Sequence, residues 1–288
     1  MTLAAYQVSF NGLTMGDQTN IDIVSLTGFD ALPTINQSDI DRLRDWGQYQ
    51  GSYFSTGREL VLSVEISDTT GSDTSFRTTI DAFTAAMQTQ PDTELPFAVC
   101  LPGWAQASRQ SNVRVSDRQL VVDYPYTRHF ATASVTFWAT DPKIYDSTTQ
   151  TTIVPLPLYN AGAGWPIVWP TSWGSSSNVG TASIQNAGNI ETRPVLSLAG
   201  PVTNPTFTNV TTGQYLTFSG LTLGVGDVFV VDMHAHTAIL NGTTNERGLL
   251  SAGSSWWTLA PGYTTVQYTA NSTLTGSQLT ISWQSAWL

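Results

Sequence analysis

Leu60-Val61-Leu62-Ser63-Val64-Glu65-Ile66 places Leu60, Leu62, Val64 and Ile66 on one side and Val61, Ser63 and Glu65 on the other. Successive side chains of a strand point to opposite faces, so a period of two reads as a strand with one buried face. The pattern continues outward. Upstream, Tyr6-Gln7-Val8-Ser9-Phe10 alternates and stops at Asn11-Gly12, a strong hairpin-turn signal, and Ile21-Asp22-Ile23-Val24 is another short strand. Downstream, Val113-Arg114-Val115, Gln119-Leu120-Val121-Val122 and the run from Ala133 to Trp138 extend the set.

One helix interrupts the strands. Phe76, Ile80, Phe83 and Met87 recur at steps of four, three and four, which makes a single apolar stripe. Ser72 or Asp73 caps its first turn and Pro91 stops it. The stripe reads as a helix lying on a sheet. From Pro155 to Gly180 the composition changes to Pro155, Pro157, Pro166, Pro170, Gly162, Gly164, Gly174 and Gly180, with Trp165, Trp169 and Trp173 among them. A linker-like run, Gly174-Ser175-Ser176-Ser177-Asn178, follows, and the domain junction is expected here. The tryptophans imply that this segment packs on a domain or on a neighbouring subunit.

The second half reads as all β. Strands are expected over 181–185, 195–199, 214–218, 227–231, 237–240, 256–259, 264–268 and 278–283. Gly200-Pro201, Thr212-Gly213, Asn241-Gly242 and Pro261-Gly262 supply turns, a pattern that indicates a β-sandwich. The organisation is therefore residues 1–150, a connecting segment 151–180, and a second domain 181–288.

Bulk properties narrow the function. Charged residues make up 11% of the 288, against roughly 25% in a typical soluble protein. Thr, Ser, Asn, Gln and Gly take their place, and such a surface repels other chains only weakly, which suits faces covered in an assembly. The net charge is −10, Lys143 is the single lysine, and no basic run exists, so an electrostatic grip on nucleic-acid phosphates is not expected. Cys100 is the single cysteine, which excludes an intrachain disulfide and a Cys-based zinc or redox site; it reads as a small buried hydrophobe. The start, Met1 to Val8, has neither a basic stretch nor a long apolar run, so no signal peptide is expected. No apolar stretch approaches the ~20 residues of a membrane span, so no membrane insertion is expected. Asn-x-Ser/Thr triplets at Asn209, Asn241 and Asn271 read as turn and strand chemistry.

Few residues suggest chemistry. Asp232, His234 and His236 would share one face of a strand, as two imidazoles and a carboxylate on a metal do. A further ligand is needed, His129 is the one histidine left, and the segment falls at an expected hairpin tip. No metal is therefore expected. The sequence has no Gly-x-Ser-x-Gly elbow, no evident nucleophile–base pair and no phosphate-cradling glycine loop, so neither catalysis nor a cofactor is expected. A glycosidase carboxylate pair stays open, because distance in space defines it. The ten tryptophans allow sugar stacking: in a strand, one of Trp256-Trp257 faces outward, and Trp257 is the candidate platform. Trp283 and Trp287 lie near the C-terminus. The competing reading of these rings is packing in the core and between subunits. A carbohydrate-binding module in host-surface adhesion is thus the alternative function.

Several segments together resemble the distal tail protein family of siphophages. They are Trp46, Gly51 and Gly57-Arg58-Glu59-Leu60-Val61-Leu62; the strand ending in Asp141-Pro142-Lys143-Ile144-Tyr145; and the stretch Ile184-Gln185-Asn186-Ala187-Gly188-Asn189-Ile190-Glu191-Thr192-Arg193-Pro194-Val195. Gly226-Asp227, Asn241-Gly242 and Ser255-Trp256-Trp257-Thr258-Leu259-Ala260-Pro261-Gly262 follow in the family's order. The resemblance implies a mainly β chain: a β-barrel-like ring domain with one helix, then a galectin-like β-sandwich. It implies a structural, non-enzymatic virion protein at the phage tail tip, assembled in the bacterial cytoplasm. Its implied partners are itself as a hexameric ring, the tail tube protein, the tail-associated hub protein and a receptor-binding protein. No interface residue is identified by it.

Overall fold

The computed structural model describes residues 3–68, 71–90, 92–104, 108–156, 180–271 and 276–288. The chain divides into two units: Met1–Thr148 with Trp287–Leu288, and Thr149–Ala286. No helix among the described residues is long and apolar enough to cross a membrane.

The first unit is built on one antiparallel sheet. Its path runs Leu13–Gly16, Gln7–Phe10, Leu95–Cys100, Arg109–Leu120, Phe130–Ala139, Arg58–Ser67, Ile21–Thr27. Leu60, Leu62, Val64 and Ile66 face inward, opposite Phe137, Val135, Ala133 and Ala131, and all eight are buried. The period of two thus reports the core face. A bulge between Val115 and Asp117 breaks the alternation, so two short runs in the sequence are one strand, Arg109–Leu120. Among the described residues no ladder joins the two ends of the path, so the sheet is open. Phe10, Phe97 and Phe137 form the centre, with Phe137 ring centroids 5.0 Å from each of the others. Burying each such ring contributes about 1.5–3 kcal/mol.

The helix spans Asp73–Ala86, with the Ser72 hydroxyl accepting from the Ser75 backbone N–H. It buries Phe76, Ile80, Phe83 and Ala86, and the Met87 N–H closes the last turn on the Phe83 carbonyl. Pro91 lies outside the described residues.

The second unit has two main antiparallel sheets on one core, beside the short pair Val202–Thr203 and Thr222–Leu223. One runs Gln150–Pro155, Gln278–Trp283, Val195–Ala199, Val228–Asp232, Thr237–Leu240, Thr244–Asn245; the other runs Thr181–Asn186, Gly262–Ala270, Pro205–Asn209, Gln214–Thr217. Leu196, Leu198, Phe229 and Ile281 of the first share a core cluster with Ile184, Phe207, Leu216 and Tyr268 of the second. Asn241 and Gly242, at φ 51° and 73°, make the hairpin turn that the Asn-Gly pair signals.

Residues 256–259 form no strand; Leu259 alone bridges to Thr192. Pro205–Asn209 is a strand that Pro205 concealed, since proline is tolerated as the first residue of a strand. Gln150–Pro155, assigned from sequence to the end of the first domain and the start of the connecting segment, is a sheet strand of the second unit. Trp165, Trp169 and Trp173, with the prolines and glycines between 157 and 179, lie outside the described residues.

Tyr268 gives this unit an alkaline limit. Its ring is buried and its hydroxyl lies 2.6 Å from Ser277 Oγ; burial pushes its pKa from 10.0 up to about 12. A raised folded pKa stabilises fully below the unfolded value and is lost as pH rises through the folded one. Stability of the second unit is expected to fall between pH 10 and about 12. Tyr268→Phe should flatten that segment of a denaturation-versus-pH curve.

Candidate assembly interface

Between Pro33 and Thr56 the chain leaves the core of the first unit as a ribbon. Ile35–Gln37 pairs with Tyr53–Ser55, and Ile40–Asp41 pairs with Gln48–Tyr49. Side chains stitch the ribbon together. Asp39 accepts from the Gly51 N–H (2.8 Å) and from the Tyr53 hydroxyl (3.0 Å), and the carboxylate holds the Tyr53 phenol above its ordinary pKa. Arg42 pairs with Asp45 at 3.5 Å and lies over the Tyr49 ring.

The ribbon carries apolar groups that nothing covers. Leu43 is 99% exposed and Trp46 is 94% exposed, and Ile40, Tyr49 and Phe54 also stand in solvent. A two-stranded ribbon is marginally stable alone.

Arg58 roots the ribbon. It is 2% exposed; Nε donates to Pro142 O (2.8 Å), and Nη1 donates to Gly28 O (2.7 Å), Phe29 O (2.9 Å) and Ala31 O. Burial pulls its pKa down, while Asp30 acts in the opposite sense. Two motif pieces therefore meet through one guanidinium: the Gly57-Arg58-Glu59 strand start and the Asp141-Pro142 corner. Asp141 braces that corner, accepting from the Lys143 N–H (3.0 Å) and the Tyr145 hydroxyl (2.6 Å).

The C-terminal residues are held in the same unit. The Arg109 guanidinium lies between the rings of Trp104 and Trp287, 4.2 and 3.9 Å from their centroids. Desolvation there lowers its pKa, and Asp30 and Asp146 oppose this. Such a desolvated cation–π contact contributes about 2 kcal/mol.

In the second unit the Asn186-Ala187-Gly188 motif is a structural knot. The Asn186 amide donates to Ile190 O (2.8 Å) and Leu259 O (3.1 Å), and its carbonyl accepts from Gly188 N (3.0 Å) and Ala286 N (3.3 Å). A Cβ on Gly188 would fall 1.7 Å from Ala286 O, so only glycine fits.

The chemical candidates resolve differently. Asp232 does not share a strand face with the histidines: its Oδ1 closes a turn by accepting from His234 N (2.7 Å) and Ala235 N (3.0 Å). His236 sits at φ 54° and stacks on Trp256, centroids 4.8 Å apart. His129, in the first unit, pairs with Asp73 at 2.7 Å. Among the described residues no three His, Cys, Asp or Glu side chains are grouped to hold a metal ion. Trp257, the expected sugar platform, is 1% exposed and is a core residue; Trp256 is the partly exposed one. Trp283 is buried and donates from Nε1 to Gln185 O (2.9 Å), and Cys100 is buried as expected. Sequence reasoning identified no interface residue. The usable signal was Leu43 and Trp46 set among Asp39, Asp41, Arg42, Arg44 and Asp45.

Residues 187–287 match the family described as siphovirus-type tail component, C-terminal domain. No curated protein matches the chain in sequence. Among solved structures, the chain is similar to the SPP1 Dit (gp 19.1) protein at 15% identity and a TM-score of 0.66, covering 98% of this chain and 99% of that one. That protein is described as a paradigm of the hub adsorption apparatus in phages infecting Gram-positive hosts. The chain also resembles a component of the phage P2 baseplate in its activated conformation with calcium, at 10% identity and a TM-score of 0.54, covering 96% and 97% of the two chains. The strontium form gives 10% identity and a TM-score of 0.53, with 96% of each covered.

Proposed function

We infer that this chain is a siphovirus distal tail protein, a structural subunit of a ring at the far end of a long phage tail; the match of residues 187–287 and the shared fold support this reading. The ring joins the tail tube to the tip hub and to host-adhesion parts, and the chain does no catalysis. The first unit, up to Thr148, is its ring-forming domain, and the second, Thr149–Ala286, is a galectin-like sandwich. The partners are other copies, six to a ring, with the tube protein, the hub protein and a receptor-binding protein.

The carrying observation is the ribbon with exposed Leu43 and Trp46. A head-to-tail contact between unlike surfaces repeats until it closes, and closed rings are one of its two outcomes. Permanent interfaces of this kind bury about 2,000 Å² or more and are rich in aromatic and poor in charged groups.

Light scattering after size exclusion, with negative-stain images of the same peak, tests the reading. The expected particle is close to six times 31.1 kDa with an open centre. Removing residues 35–55 and joining the ends with glycines should leave a folded monomer. A wild-type chain that stays monomeric at high micromolar concentration, alone and with its tube and hub partners, would sink the ring.

A further inference from the structure

The tip of the ribbon has a matching surface on the same chain. Val8, Ile23, Leu26, Cys100 and Leu101 line a largely apolar cavity of the first unit of about 210 Å³. It lies between the strands Leu13–Gly16 and Ile21–Thr27, the two unjoined ends of the open sheet. Tyr6, exposed and at φ 64°, stands at its edge. Asp17 and Asp22 also border it, both exposed. No hydrogen bond or ion pair among the described residues engages either carboxylate. The chain's own ribbon does not fill the cavity, because Leu43 and Trp46 are almost wholly in solvent.

The tip is the complement of this surface. It offers the Trp46 indole and the Leu43 isobutyl group, and between them Asp45, which is paired with Arg42, and Arg44, whose guanidinium is likewise engaged by no ion pair among the described residues. An apolar hole with a negative border faces an apolar knob with a positive charge.

We propose that Trp46 of one copy enters the cavity beside Cys100 of a second copy, with Arg44 against Asp17 and Asp22 at its border. The proposal rests on the ring reading and supplies its contact. Knob and hole are different surfaces, so each copy gives one and receives one, which is the head-to-tail arrangement a ring requires. Burying the indole supplies most of the affinity. The border charges set orientation and make association faster at low salt.

Charge exchange in the full-length chain is the test. Arg44→Glu alone, and Asp17→Lys with Asp22→Lys, are each expected to raise the concentration needed for assembly by about tenfold or more. The triple variant, with the charges swapped on both sides, is expected to recover most of that loss. Failure of the triple variant to recover overturns the pairing.

A cross-link checks the cavity independently. Trp46→Cys and Tyr6→Cys chains, each in a Cys100→Ala background, are mixed and oxidised, and the 46–6 disulfide is identified by mass spectrometry. A 46–6 link formed in the mixture supports the proposal. A wild-type ring with no such link and no charge effect removes the cavity and leaves the ring reading intact. A wild type that forms no ring with its partners present removes both.

Discussion

Trp257→Ala is expected to cost the second unit about 3–5 kcal/mol, the usual loss when a large buried aromatic is truncated. Trp257 is 1% exposed and belongs to the single core that the two sheets share. Removing the indole leaves a cavity that the flanking strands close only in part. The loss is volume and contact rather than hydrogen bonding, because Trp257 Nε1 has no hydrogen-bond partner among the described residues. A buried N–H without a partner itself costs about 1–3 kcal/mol. Trp257→Phe should therefore be much milder than alanine. Urea denaturation of both variants separates the terms: a large midpoint shift for alanine and a small one for phenylalanine. An alanine variant of wild-type stability would mean the ring is on the surface, and the sugar-platform reading would return.

Arg58→Ala is expected to destabilise the first unit by several kcal/mol, since each buried carbonyl left without its donor costs about 1–3 kcal/mol. The carbonyls of Gly28, Phe29, Ala31 and Pro142 would lose their donor. Lysine is no substitute, since a point-like ammonium does not spread over four carbonyls as a planar guanidinium does. Arg58→Lys should recover less than half of the loss. The ribbon should loosen before the sheet does, so limited proteolysis near residues 32–56 is expected to precede global unfolding. Equal protease resistance in wild type and Arg58→Ala would show that the root is elsewhere.

The core faces were legible because strand alternation is local. Leu60, Leu62, Val64 and Ile66 are all buried, and Val195–Ala199, Thr237–Leu240 and Gln278–Trp283 match their expected bounds. The helix was legible for the same reason, since its stripe needs no distant partner. The sequence failed where a residue's meaning depends on one far along the chain. Trp256 and Trp257 look alike in sequence, and only the packing of two sheets buries one of them. Asp232, His234 and His236 have ligand chemistry, yet a tight turn spends the carboxylate on backbone N–H groups. Arg58 reads as an ordinary strand charge until Pro142, 84 residues away, is brought beside it.

Sequence alone determined that this is a low-charge, mainly β chain with one helix and two parts, without a basic surface, a disulfide or a recognisable catalytic motif. Its motif order pointed to the phage tail family that the C-terminal domain matches. Tertiary structure alone decided which aromatics are core and which stand in solvent. It left Leu43 and Trp46 in solvent on a ribbon and opened an apolar cavity between two sheet edges. The reason is physical: hydrophobicity is a property of a residue, whereas burial is a property of everything that packs against it.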